Sequence, residues 1–204
     1  MLTALVASLV LAAPPPAAPS PAAAAPAAPA APAAVPVADA PAAWGPAIGR
    51  AQEAGRAFQK ALQSRLAAAM AQGGPPAAID VCSKDAPRIA AETSASAGVK
   101  LGRTSERLRS PANAPPAWTV APLAAASAHR AADAKPLAVD LGGSVGVLLP
   151  IPVGSACLGC HGPAASLSPT VKEALAARYP ADRATGYAEG DFRGYLWVEA
   201  AKSP

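Results

Sequence analysis

Between residues 44 and 72 apolar side chains recur every fourth position, at Phe58, Leu62, Leu66 and Met70, with Arg56, Gln59, Lys60, Gln63 and Arg65 between them. Steps of four stay near one face of an α-helix, so the pattern predicts an amphipathic helix ended by Gly73-Gly74. Pro75-Pro76 pre-set φ for a second helix with Ala78, Val81, Cys82, Ala86 and Ile89 inward, and Pro87 predicts a kink near Asp85. After Gly98 the pattern becomes alternating. Val99, Leu101 and a strand-interior Gly102 predict an extended piece against which something flat can lie. A Pro-punctuated loop, Ser110–Trp118, leads to an Ala-rich helical stretch, Val120–Ala134. Pro136–Val153 reads as a β-hairpin around Leu141-Gly142-Gly143-Ser144. A helix, Pro169–Arg178, follows Ser168 as its N-cap, and after the loop Tyr179–Gly190 comes a last strand, Phe192–Ala200. Helices first, then hairpin and closing strand, predict an α+β domain with one antiparallel sheet.

Composition changes the picture at the N-terminus. The chain is 52% apolar with 25 prolines, but much of this is Ala and Pro in residues 14–43, expected to form a semi-rigid, disordered tether reaching about 90 Å at full extension. Leu2–Ala12 is an eleven-residue apolar run, enough for a signal peptide over 1–13 and too short to span a bilayer. The first basic residue is Arg50, so the usual positive n-region is missing. The remaining stretch, 44–204, has the size of one domain. No later run approaches a membrane span, and a net charge of +4 is too mild to point to nucleic acid.

The candidate chemistry lies in Cys157-Leu158-Gly159-Cys160-His161, a C-x-x-C-H sequence. Two thiols at this spacing can form thioethers to the two vinyl groups of one haem, and the adjacent His161 then supplies the proximal imidazole. No second C-x-x-C or His pair exists to complete a zinc site, and no thioredoxin-like pattern surrounds the pair. The motif therefore predicts one haem c per chain and export from the cytoplasm, to the periplasm or beyond. A second iron ligand could come from Met70, His129 or Cys82. Met70 completes an apolar stripe, His129 has solvated neighbours, and a lone Cys on an apolar helical face is more often a small buried hydrophobe than a ligand. Among the basic residues Lys100, Arg103, Arg107, Arg109 and Arg130, Arg103 or a neighbour is a candidate partner for haem propionates.

Four blocks, AIDVC (Ala78–Cys82), KLGRTSERLRSPANAPPAW (Lys100–Trp118), ACLGCHG (Ala156–Gly162) and YPADRATGYAEGDFRGYLWVEA (Tyr179–Ala200), together resemble a periplasmic single-haem c family with a PAS-like fold. That family occurs alone or as the input domain of histidine kinases and chemoreceptors. The resemblance covers 44–204. It implies thioether cysteines at Cys157 and Cys160, the proximal ligand at His161 and the distal ligand at Cys82, with Arg103 and Asn113 in a polar block near the haem. His129 falls where the pattern is loose.

One-electron transfer with a redox partner protein is the expected function, without enzymatic turnover. Haem-based redox or gas sensing is the alternative. A sensor would have to act through a separate partner, because no kinase pattern or coiled-coil heptad follows residue 200. A peroxidase would need an open iron position and a distal acid-base group, for which His129 is the one imidazole available.

Overall fold

A computed structural model describes residues 32–127 and 130–203. The expected signal peptide, residues 14–31 of the expected tether and His129 lie outside the described residues.

The domain begins earlier than expected. Ala34–Pro36 forms an edge strand, β1, and two 3-10 turns, Val37–Asp39 and Ala42–Trp44, lead into the first helix. The tether assignment therefore ran too far: Pro36 is compatible with an edge strand, which can tolerate a residue lacking N–H, and Val35 and Val37 pack on the core.

The helix α1 spans Gly45–Asp80 but is interrupted at Gly74, whose φ of 65° and ψ of −159° are not helical. The predicted stop is thus real, and Pro75-Pro76 restart the helix immediately because their fixed φ suits a first turn. The apolar stripe drifts. Phe58 and Leu62 are buried, Leu66 is half-buried, and Met70 is 48% exposed while Ala69 takes the inward position. Each four-residue step turns the helix about 40° past a full circle, so three steps rotate Met70 off the face. Past Asp80 the chain makes a π-helical turn, Val81–Asp85, before α2, Ala86–Ala97, closed by Gly98 at φ 62°. The Pro87 irregularity appears as this turn: Pro87 has no N–H to give to the carbonyl four residues back.

The sheet contains β1, β2 (Lys100–Thr104), β3 (Leu137–Asp140), β4 (Ser144–Pro152) and β5 (Phe192–Ala201) in the order β1-β3-β4-β5-β2, every pairing antiparallel. The predicted hairpin is β3–β4, and β5 pairs along all of β4, from Ser144 with Ala201 to Pro152 with Phe192. Alternation divides the faces. Val145, Val147, Leu196, Val198 and Ala200 meet α1 at Ala47, Ala51 and Phe58; Val139, Leu148 and Tyr195 face Trp118 and Leu123 of the opposite layer, where α3 (Val120–Ala126) lies. Burial of one such Leu or Phe contributes about 1.5–3 kcal/mol. The flat partner of Gly102 is Trp197: a Cβ at 102 would lie 2.6 Å from the indole. Two short helices complete the order, α4 (Leu158–His161) and α5 (Pro169–Arg178), with the Ser168 hydroxyl accepting from the Val171 N–H at 3.3 Å.

Candidate functional site

The β4 strand ends at Pro152 and delivers the chain, through Val153-Gly154 and a 3-10 turn over Ser155–Cys157, to α4, which carries Cys160 and His161. Opposite stand the middle of α1 and the π-helical turn. Between them is a cavity of about 390 Å³ with an apolar wall of Phe58, Leu62, Leu66, Ile151, Val153 and Leu196. Cys82, Arg103, Asn113, Cys157 and His161 all line it, so five of the six sequence-predicted residues converge from four separate segments. The sixth, Cys160, packs beside the cluster of Ile79, Leu167, Val171 and Leu175. The three thiols are free. Met70 does not line the cavity.

The imidazole is tightly held. Its Nδ1 lies 2.7 Å from the Ala184 carbonyl, which can only accept, so Nδ1 carries the hydrogen and Nε2 presents a lone pair. Burial, with the positive charges of Arg109 and Arg193, pushes the His161 pKa down to about 3 and keeps the ring neutral. Burial pushes the Cys82 thiol up, an effect that the Arg103, Arg109 and Arg193 charges oppose; burial likewise raises Cys160. Tyr179, on the same wall, is pushed up to about 12, chiefly by burial.

Three arginines border the cavity: Arg103 and Arg109, both named in the sequence reading, and Arg193, which was not. Arg109 is 7% exposed and paired with Asp182, with Nη2–Oδ2 at 3.2 Å; its Nη1 lies 3.5 Å from His161 Nε2. Arg193 donates to the Arg107 carbonyl at 3.2 Å and to the Tyr187 hydroxyl at 3.4 Å, while the Arg107 guanidinium stacks 3.5 Å over the Tyr187 ring. Arg103 sits 5.7 Å over the Phe58 ring and pairs with no carboxylate among the described residues. Asn113 ends a 3-10 turn, Pro111–Asn113, capped by Ser110, and its carbonyl accepts from Thr104 Oγ1 at 3.0 Å. The block Tyr179–Ala200 was visible in the sequence, but only the folded chain shows that its Asp182, Ala184, Tyr187 and Arg193 surround His161.

These groups can do definite chemistry. A neutral imidazole nitrogen and a thiol are both metal ligands once the thiol loses its proton, and guanidiniums recognise carboxylates. Among the described residues no three His, Cys, Asp or Glu side chains cluster as a metal site.

The model of the Tll0287-like family, Tll0287, matches residues 45–200. This chain belongs to the Tll0287-like family. The match spans α1 through β5 and takes in every residue lining the cavity. Among solved structures the chain is similar to one described as the crystal structure of the cyanobacterial heme-protein Tll0287, at 26% identity over 57% of this chain and 70% of that one, with a TM-score of 0.48. No curated protein matches the chain.

Proposed function

We propose that this Tll0287-like chain is an extracytoplasmic protein that holds one covalent haem c and passes single electrons to a partner protein, without enzymatic turnover and on a PAS-like fold. The observation that carries this reading is the meeting of Cys157, His161 and Cys82 at one cavity, with His161 fixed as the tautomer that leaves Nε2 open.

The residues fit the group. The apolar wall suits a macrocycle, and the buried, neutral imidazole is in the form that binds iron. Cys157 and Cys160 would hold the haem through thioethers, and His161 and the Cys82 thiolate would be its iron ligands. Arg103, with no carboxylate partner among the described residues, and Asn113 would receive a propionate. When bound, haem supplies a one-electron iron couple. The protein's part would be to hold the group through Cys157, Cys160, His161 and Cys82, to exclude water with Phe58, Leu62 and Leu196, and to set its potential through a thiolate and nearby arginines.

A second reading, redox or gas sensing through a separate partner, is favoured by the surroundings of Cys82. It sits in the π-helical turn and also borders a second cavity of about 370 Å³, lined by Ala86, Ala90, Leu101 and Trp197, so a displaced side chain or an entering small ligand would have room.

Intact mass spectrometry after expression with a cytochrome c maturation system tests the proposal. The expected result is the mass of one haem, retained after acid-acetone extraction and lost in Cys157→Ser with Cys160→Ser. Extractable haem, or none, would sink it.

A further inference from the structure

The bonds around Arg109 form a closed circuit. Asp182 Oδ2 accepts from Arg109 Nε at 3.2 Å, and Asp182 Oδ1 accepts from the Ala184 N–H at 2.7 Å. Arg109 Nη2 donates to the Cys160 carbonyl at 2.5 Å and to the Ala184 carbonyl at 3.3 Å. The same Ala184 carbonyl accepts His161 Nδ1–H at 2.7 Å. The circuit is largely shielded from solvent: the side chains of Arg109 and Asp182 are 8% and 10% exposed, Ala184 is fully covered, and the bonds to Cys160 and His161 are part-buried.

A buried ion pair is a weak device for stability alone, because desolvation consumes most of the attraction and an apolar pair of the same volume would serve. What a fully bonded pair does supply is direction. Asp182 fixes the peptide at Ala184 by its N–H, Arg109 fixes the carbonyl of that same residue, and that carbonyl sets the plane and tautomer of His161. Arg109 also grips Cys160, so the two C-terminal residues of C-x-x-C-H are referenced to one guanidinium. We propose that Asp182 and Arg109 are positioning residues for His161, acting through the Ala184 carbonyl to hold the ring in a single tautomer and orientation.

Nη1, 3.5 Å from Nε2, makes the weakest of these contacts. Occupation of Nε2 by another group leaves the remaining Arg109 bonds in place, so the circuit persists with the ring ligated. The loop also has backbone ties that side-chain changes leave intact: Arg183 N–H to Leu108 O at 2.9 Å, Gly186 N–H to Gly162 O at 2.8 Å and Tyr187 N–H to His161 O at 3.0 Å. A polar substitution at 182 or 109 is therefore expected to loosen the ring while the fold stands.

The test has two arms, and only the second rests on the haem reading. In the first, the full chain is made without haem and with His129→Gln, so that His161 is its one histidine, and ring nitrogen NMR is recorded at pH 7. The unsubstituted ring should show a single Nδ1–H tautomer. Asp182→Asn, whose amide oxygen can still accept from Ala184, and Arg109→Gln should each give mixed tautomers and faster solvent exchange, with near-UV circular dichroism unchanged. A single tautomer surviving in both variants would overturn the proposal, as would loss of the fold in both, which would make the pair a folding element instead. In the second arm, matured Asp182→Asn should keep its covalent haem but shift its electron paramagnetic resonance g-values from those of the unsubstituted protein; unchanged g-values would count against the proposal. If the unsubstituted chain takes up no haem, the haem reading fails and the first arm still decides this one.

Discussion

His161 and Cys82 face the same cavity from supports of opposite kinds. The imidazole is held by a 2.7 Å bond to Ala184, a buried ion pair and three backbone ties across its loop. Cys82 is carried by a π-helical turn and lines both cavities. Polar, directional bonds make one side a fixed reference, while the other depends on packing and on an irregular helix. If the proposed haem is bound, His161 would be the ligand that stays and Cys82 the one whose bond could be tuned or released.

The largest effect expected from breaking this contrast comes from the fixed side. His161→Ala should abolish the low-spin spectrum altogether, since no other described residue presents a neutral imidazole to the cavity. Cys82→Ser should leave folding within about 1 kcal/mol, measured by urea melts, because size is conserved and a buried hydroxyl costs little more than a thiol if it finds a partner. It should nevertheless open the sixth position to carbon monoxide; an unchanged low-spin spectrum in both oxidation states would remove Cys82 from the iron. Pro87→Ala returns an N–H to the exposed start of α2 and lets the π-helical turn regularise. Stability should change by under about 0.5 kcal/mol, as for other surface positions, while the Cys82-dependent part of the spectrum shifts.

The smallest expected effect concerns the base of the turn. Arg178 on α5 bonds Asp80, just before Cys82, at 2.6 Å, and this bond holds the Asp80 carboxyl below its ordinary pKa, with a lesser contribution from Lys84. A carboxyl lowered on folding stabilises the native state above its unfolded pKa, near 3.9, and the contribution is lost as pH falls through the folded value. Asp80→Asn should therefore lower the thermal midpoint slightly at pH 7, and by less as the pH falls below the unfolded value and through the folded one. A loss that does not shrink as the pH falls would show that the ion pair is not the cause.

Local chemistry accounts for what was legible beforehand. The β3–β4 hairpin follows from two apolar runs around Gly142-Gly143, and α5 from Ser168 and Pro169, because turn and cap preferences act within a few residues. Met70 misled because a four-residue period was extended over three steps, where the 3.6-residue turn carries it off the face. Val35 and Val37 were masked by the surrounding Ala and Pro, although they pack on the core. In the site, Cys157, Cys160 and His161 stand out through spacing alone, and Cys82 only through the family pattern. Arg109, Asp182 and Ala184 could not have been singled out by spacing, since 73 residues separate the arginine from its carboxylate. Ala184 acts through its carbonyl, which leaves no signature in a side chain.

The visible absorption spectrum of the matured protein, oxidised, then reduced with dithionite, then exposed to carbon monoxide, decides whether the chain is a saturated haem c electron carrier. A covalent low-spin c-type spectrum in both oxidation states, slow or indifferent to carbon monoxide, is the expected result, and it would leave electron transfer ahead of sensing. Rapid carbon monoxide binding on reduction would contradict the saturated electron carrier and leave the sensor. No covalent haem spectrum at all would rule out both the carrier and the sensor.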